Sequence, residues 1–93
     1  MPRPTYLPLD NIGLDSRAVS IAIGWRVREL RTRRGLSQES LAHRTGIHAT
    51  ALGRIERGAR EPRATMILRL AHGLEVPPGA LLDGLEAIRD GRA

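Results

Sequence analysis

The 93-residue sequence predicts an all-α fold of five helices, on three observations. Apolar residues recur three and four positions apart, the repeat of one face of an α-helix. Glycines at 35, 46, 58 and 73 cut that pattern into helix-sized pieces. No stretch alternates apolar and polar residues as a half-buried strand would, and no internal repeat is present.

The elements follow in chain order. Residues 1–14 hold three prolines and no helical periodicity, so they are expected to form an irregular arm. Asp15 or Ser16 caps a first helix that runs to about Arg34, with Ile23, Val27 and Leu30 as its apolar stripe. Gly35 stops it, because glycine takes the left-handed conformation that helix ends use. Ser37 caps a second helix from Gln38 to about Thr45, with Glu39 well placed for the helix dipole. Gly46 breaks that helix, Ile47 leads into a third over residues 48–57, and Gly58 ends it. His48 stands at the start of the third helix, where serine or asparagine is more usual, so its cap is expected to be weak. Glu61-Pro62-Arg63 is a loop, since a residue before proline avoids helical angles. A fourth helix over residues 64–72 buries Met66, Ile67, Leu70 and Ala71, and Gly73 closes it. Pro77-Pro78 opens a fifth helix that carries Leu81, Leu82, Leu85 and Ile88. Trp25 lies off the main stripe, on a side shared with Ile21 and Ala22. Either the arm folds back over it through Tyr6, Leu7, Leu9, Ile12 and Leu14, or the arm is disordered and Trp25 is partly exposed.

Length leaves material for one modest core, so residues 15–90 are expected to form a single domain. The lack of cysteine removes disulfides, thiol catalysis and cysteine-built zinc sites. His43, His48 and His72 share no metal-ligand spacing, and neither a metal nor a cofactor is expected. No nucleophile–base pair, carboxylate pair or glycine-rich phosphate loop is visible, which argues against an enzyme. No run is apolar enough for a bilayer and none precedes a signal-type cleavage site, so the expected compartment is the cytoplasm and no membrane partner is expected.

Charge points to an anionic partner. All fifteen basic residues are arginine, and the net charge is +5. Segment 21–35 carries +4 and segment 53–63 carries +2, whereas 74–93 carries −2. A DNA-binding surface with its acidic end turned away has this distribution, and so does a set of solvated helix faces.

Two short helices joined by a tight glycine turn form a helix-turn-helix pattern. Ala42 is small where the two helices cross, Gly46 supplies the turn, and Leu41, Ile47, Leu52 and Ile55 face inward. Burying Leu52 and Ile55 turns Ala49, Thr50, Gly53, Arg54 and Arg57 outward, on a helix that fits a DNA major groove. Arg54 is the leading candidate for base readout, because its fork matches O6 and N7 of guanine; a phosphate contact is the alternative. Thr50 offers one hydrogen bond or a contact to a thymine methyl, and Ala49 offers apolar contact alone. Since Ala49, Ala51 and Gly53 read few base edges, DNA shape is expected to supply much of the specificity.

The run LSQESLAHRTGIHATALGRIERGAREPR resembles the phage-repressor, Xre-like helix-turn-helix family, most clearly at Gly35-Leu36-Ser37-Gln38-Glu39 and Arg54-Ile55-Glu56-Arg57-Gly58. The resemblance covers residues 22–83 and implies a repressor-like domain. It extends to small stand-alone members such as restriction–modification controller proteins, which often carry a histidine and threonine where His48-Ala49-Thr50 stands. The resemblance implies that Gln38 reaches the phosphate backbone or a base near the groove edge, and that Arg63 lies near the minor groove. It also implies a buried salt bridge between Arg31 and Glu56, which takes Arg31 out of the DNA contacts. His48 can meet a phosphate, and Arg57 and Arg60 are phosphate candidates or solvated loop charges.

The expected function is a sequence-specific DNA-binding transcriptional regulator, by default a repressor. The apolar fifth helix, through Leu81, Leu82, Leu85 and Ile88, is expected to pair two copies on a pseudo-palindromic double-stranded operator. The alternative is an antitoxin-like module whose fifth helix or arm binds another protein, with DNA binding secondary.

Overall fold

In the computed structural model, which describes residues 14–88, α1 spans Ser16–Arg33, α2 Gln38–Thr45, α3 Ala49–Glu56, α4 Ala64–Leu74 and α5 Gly79–Leu82. A 3-10 turn at Leu85–Ala87 follows, and there is no strand among the described residues. Side chains cap the first amides of α1 and α2 and not those of α3, α4 and α5. Asp15 caps α1, its carboxylate accepting from the amides of Arg17 at 2.9 Å and Ala18 at 3.3 Å. The Ser37 hydroxyl accepts from the Ser40 amide at 3.0 Å and caps α2. Gly46, at φ 72°, makes the turn into α3. His48 adopts the extended backbone of a cap but makes no capping bond, as its imidazole predicts.

The core is built from one stripe of each helix: Ile23 and Val27 of α1, Leu41 and Ala42 of α2, Leu52 and Ile55 of α3, and Leu70, Ala71 and Leu74 of α4. Ile47 in the turn and Leu81 and Leu85 near the end complete it. Each large side chain buried here stabilises the fold by roughly 1.5–3 kcal/mol. α1 packs on α3, α2 packs on α3 and α4, and α5 returns to α1. Glycine allows the closest crossing: a Cβ on Gly24 would run into the Ile55 carbonyl and stand 2.8 Å from the Glu56 carbonyl oxygen. α3 is thus pressed directly onto the α1 backbone.

Three expectations are corrected. Gly73 does not end the fourth helix, which runs on to Leu74. It serves instead as a contact, since a Cβ there would come within 2.6 Å of the Thr45 methyl on α2. The left-handed end residue is Glu75, at φ 58°. A side chain in that conformation costs about 1 kcal/mol, and Arg34 offsets this by donating to the Glu75 carboxylate at 2.9 Å and to its carbonyl at 3.1 Å.

The fifth helix is a single turn. Asp83 is extended and Gly84 takes φ 81°, so the chain bends before Leu85. With that bend, Leu81 and Leu85, expected at a subunit interface, are 0% and 6% exposed and belong to the core. Leu82 stays 41% exposed and Ile88 is half-buried against the core. Trp25 is 60% exposed, with Ile21 beside it also exposed; of the arm residues weighed against it, Leu14 is 46% exposed and Tyr6, Leu7, Leu9 and Ile12 lie outside those described.

Gly24→Ala tests the close crossing. Forcing a methyl into that backbone contact should cost about 1–3 kcal/mol or more, a fall of roughly 4 °C or more in Tm. An unchanged Tm would show that α1 and α3 are not in backbone contact.

Candidate nucleic-acid interface

Behind α3 lies a polar clamp. Arg31 of α1 meets Glu56 at the end of α3 with both prongs of its fork, Nε donating to Oε2 at 2.6 Å and Nη2 to Oε1 at 3.0 Å. Their side chains are only 11% and 3% exposed. Arg31 Nη1 also donates to the Leu36 carbonyl at 2.8 Å, tying in the loop before α2. Gln38, the first residue of α2, donates its amide to Glu56 Oε1 at 2.9 Å. One carboxylate therefore holds three helices. The Glu56 hydrogen bond raises the Arg31 guanidinium above its ordinary pKa, against the opposing effect of burial, with the Glu56 charge adding to the rise. A raised value means that the contribution of the Arg31 charge is intact below the ordinary arginine pKa and is lost only as pH climbs through the raised one. Arg31 stays charged throughout the neutral range.

The pairing implied for Arg31 and Glu56 is therefore in place. Gln38 is found inside the same clamp, with one amide hydrogen already committed to Glu56 and its second still free.

The outer side of α3 presents Ala49, Thr50, Arg54 and Arg57, all exposed, with His48 exposed at its start. Gly53 differs from expectation. The helical angle turns it outward, but it is buried. Arg57 Nη1 lies 3.2 Å from where a Cβ would stand, and Gln38 Oε1 lies 3.7 Å away. The missing side chain lets Arg57 lie back across α3 towards Gln38, a tertiary covering that helical spacing alone does not report. Arg60 and Arg63 are exposed on the loop that follows, while Pro62 between them is buried.

The arginines divide into two sets. Arg31, Arg34 and Arg44 hold the fold: Arg44 donates to the Gly73 carbonyl at 3.2 Å, and Arg34 anchors Glu75. Arg54, Arg57, Arg60 and Arg63 have no carboxylate within ion-pair distance among the described residues. Arg28, which was not among the residues expected at the interface, belongs to this free set as well. It lines a cleft of about 280 Å³ together with Arg31, Gln38, Glu56 and Arg57. Its signal was available in the spacing, since Arg28 stands one turn before Arg31 on the same helix face. Free cations grouped around an exposed helix make a surface for an anionic polymer.

Comparison with known proteins agrees with this geometry. A family model described as Helix-turn-helix matches residues 27–81. The control protein C.BamHI of Bacillus amyloliquefaciens is 35% identical over 66 residues, which cover 70% of this chain and 82% of that protein. The HTH-type transcriptional regulator Rv0023 of Mycobacterium tuberculosis is 39% identical over 56 residues, 60% of this chain, and the match spans only 22% of that regulator's length. The crystal structure of the restriction-modification controller protein C.AhdI from Aeromonas hydrophila is similar with a TM-score of 0.67 and 44% identity, over 69% of this chain and 97% of that one. The chain belongs to the helix-turn-helix family of DNA-binding transcriptional regulators. No helix among the described residues is long and apolar enough to cross a membrane.

Removing one partner of the clamp should expose its worth. Glu56→Ala strands a buried guanidinium and should cost about 3–5 kcal/mol in urea unfolding. Gln38→Ala, which leaves the ion pair intact, should cost about 1.5–3 kcal/mol at most. Equal losses for the two variants would contradict the central place given to the carboxylate.

Proposed function

We propose that this protein is a sequence-specific transcriptional regulator, acting as a repressor, that binds a pseudo-palindromic operator as a homodimer and reads it with α3. The observation that carries the reading is the contrast between the two sides of α3. Its inner side is fixed by Leu52, Ile55 and the Glu56 clamp, while Arg54 and Arg57 on its outer side have no partner among the described residues. A rigidly mounted helix with free arginines is what groove recognition requires.

Roles follow from chemistry. Arg54 is assigned to a guanine, whose O6 and N7 accept both prongs of its fork. Thr50 and Ala49 face the neighbouring bases, with few donors between them, so groove shape carries much of the discrimination. Gln38 is assigned to a backbone phosphate through its second amide hydrogen, assisted by the free amides at the start of α2. His48, Arg57 and Arg60 are assigned to phosphates, and Arg63 to the minor groove or its edge. Gly53 contributes by the flat seat it gives Arg57 rather than by touching a base.

Pairing of two copies is proposed to involve Leu82, the exposed leucine of α5, with half-sites about 34 Å apart on one face of the duplex. The likeness to C.BamHI, named as a control protein, and to C.AhdI, named as a restriction-modification controller protein, supports a small regulator.

Selection of bound sequences from a random pool by the purified protein tests the reading. The recovered site should be a pseudo-palindrome, and binding should weaken steeply with salt through counterion release. Arg54→Ala should relax one base position per half-site at a cost of about 1–3 kcal/mol. Uniform loss across all sequences would assign Arg54 to phosphate, and the absence of any preferred sequence would end the claim of specificity.

A further inference from the structure

A second concave surface lies beside the recognition helix. A cleft of about 510 Å³ opens between the start of α1 and the loop after α3, with Ser16, Arg17, Ser20, Arg57, Arg60 and Glu61 as its polar lining. We infer that this cleft seats a DNA backbone phosphate beyond the base pairs read by α3, with Arg17 as its anchor. The inference rests on the DNA-binding reading above and adds a residue and a contact to it.

The cleft is positive where it matters. Arg17 and Arg60 line it together with Arg57, whose fork lies over Gly53 on the α3 side, and none of the three has a carboxylate within ion-pair distance among the described residues. Glu61 is the one acidic residue in the lining, and it is exposed. Ser16 and Ser20 add hydroxyl groups able to donate to phosphate oxygens. The site combines guanidinium forks with short donors, the chemistry that favours phosphate.

Folding does not account for Arg17. It stands in the first turn of α1, where a cation opposes the helix dipole, and its side chain is exposed. Asp15 is occupied in capping the amides of Arg17 and Ala18. The walls of the cleft are nevertheless held in register. Gly58, at φ 72°, sits so close to α1 that a Cβ would come within 2.6 Å of Ile21 Cγ1. That contact pins the Arg57–Arg60 loop against the helix that carries Arg17. Arg57 faces both this cleft and the one at Gln38 and Arg28, so the two concavities adjoin through one side chain. A duplex held by α3 therefore brings its own backbone within reach of Arg17.

The test measures affinity against salt for the full chain on its selected duplex, at full length and trimmed of the base pairs outside the half-sites. Arg17→Ala should keep the wild-type Tm and base preference, bind the long duplex more weakly, and lose about 0.9 from the slope of log affinity against log salt. Arg17→Lys should restore the slope, and trimming should erase the difference between wild type and Arg17→Ala. If wild type keeps its sequence preference while Arg17→Ala matches its affinity and slope on the long duplex, the phosphate seat is overturned and the DNA-binding reading stands. If inorganic phosphate without DNA shifts the Arg17 Nε–H resonance while that slope is unchanged, the cleft is a free-anion site and the inference is equally overturned. A wild-type protein with no sequence preference would instead sink the reading beneath it.

Discussion

The carboxylate of Glu56 is the constraint on which the working surface depends. It accepts from Arg31 twice and from Gln38 once, so a single side chain ties the end of α3 to α1 and to the first residue of α2. α3 has only eight residues, too few to be stable as an isolated helix. Its cap is also weak, because His48 makes no capping bond. Its orientation must therefore come from outside: from Leu52 and Ile55 in the core, from the Gly24 crossing, and from the clamp. The apolar contacts supply most of the stability. The directional hydrogen bonds act with Leu52 and Ile55 to fix the rotation of α3 about its own axis, which decides whether Arg54 and Arg57 face outward.

Charge on this protein is spent in two ways. Arg31, Arg34 and Arg44 act inside the fold, bridging helix ends and satisfying carbonyl groups. Arg34 also stabilises the left-handed Glu75, a conformation that would otherwise favour glycine. Arg28, Arg54, Arg57, Arg60 and Arg63 have no ion-pair partner among the described residues. Around α3 they form an electrostatic surface whose parts are shared: Arg57 belongs to the outer side of α3 and to the clefts on either side of it. Such an arrangement lets base readout and backbone attachment act together, the first giving discrimination and the second register and affinity.

Much of this was legible in the residues. Asp15 and Ser37 announced the starts of α1 and α2, Gly46 the turn, and the spacing of Leu41, Ile47, Leu52 and Ile55 the inner side of the motif. These signals are local, so a linear reading reaches them. The departures are tertiary. Gly73 reads as a stop until Thr45 is seen packed against it, and Glu75 becomes an acceptable helix end only with Arg34 nearby. Gly53 reads as outward until Arg57 is seen lying over it. The amphipathic run from Leu81 to Ile88 suggested a greasy outer helix, but the Asp83-Gly84 turn splits it and sends Leu81 and Leu85 inward. That turn signal was present in the sequence and was outweighed by the leucine spacing. Arg28 was legible one turn before Arg31, whereas Arg17 gains meaning only from the cleft it lines.

The central claim is that α3 offers its arginines to DNA while the clamp behind it stays closed. Titration of the selected duplex into labelled protein, followed through the arginine Nε–H resonances, tests it most directly. The Arg54 and Arg57 signals should move while the Arg31 signal keeps its position, since its hydrogen bond to Glu56 is unbroken. A shifted Arg31 signal beside an unmoved Arg54 would contradict it, because DNA would then be engaging the clamp in place of the outer side of α3.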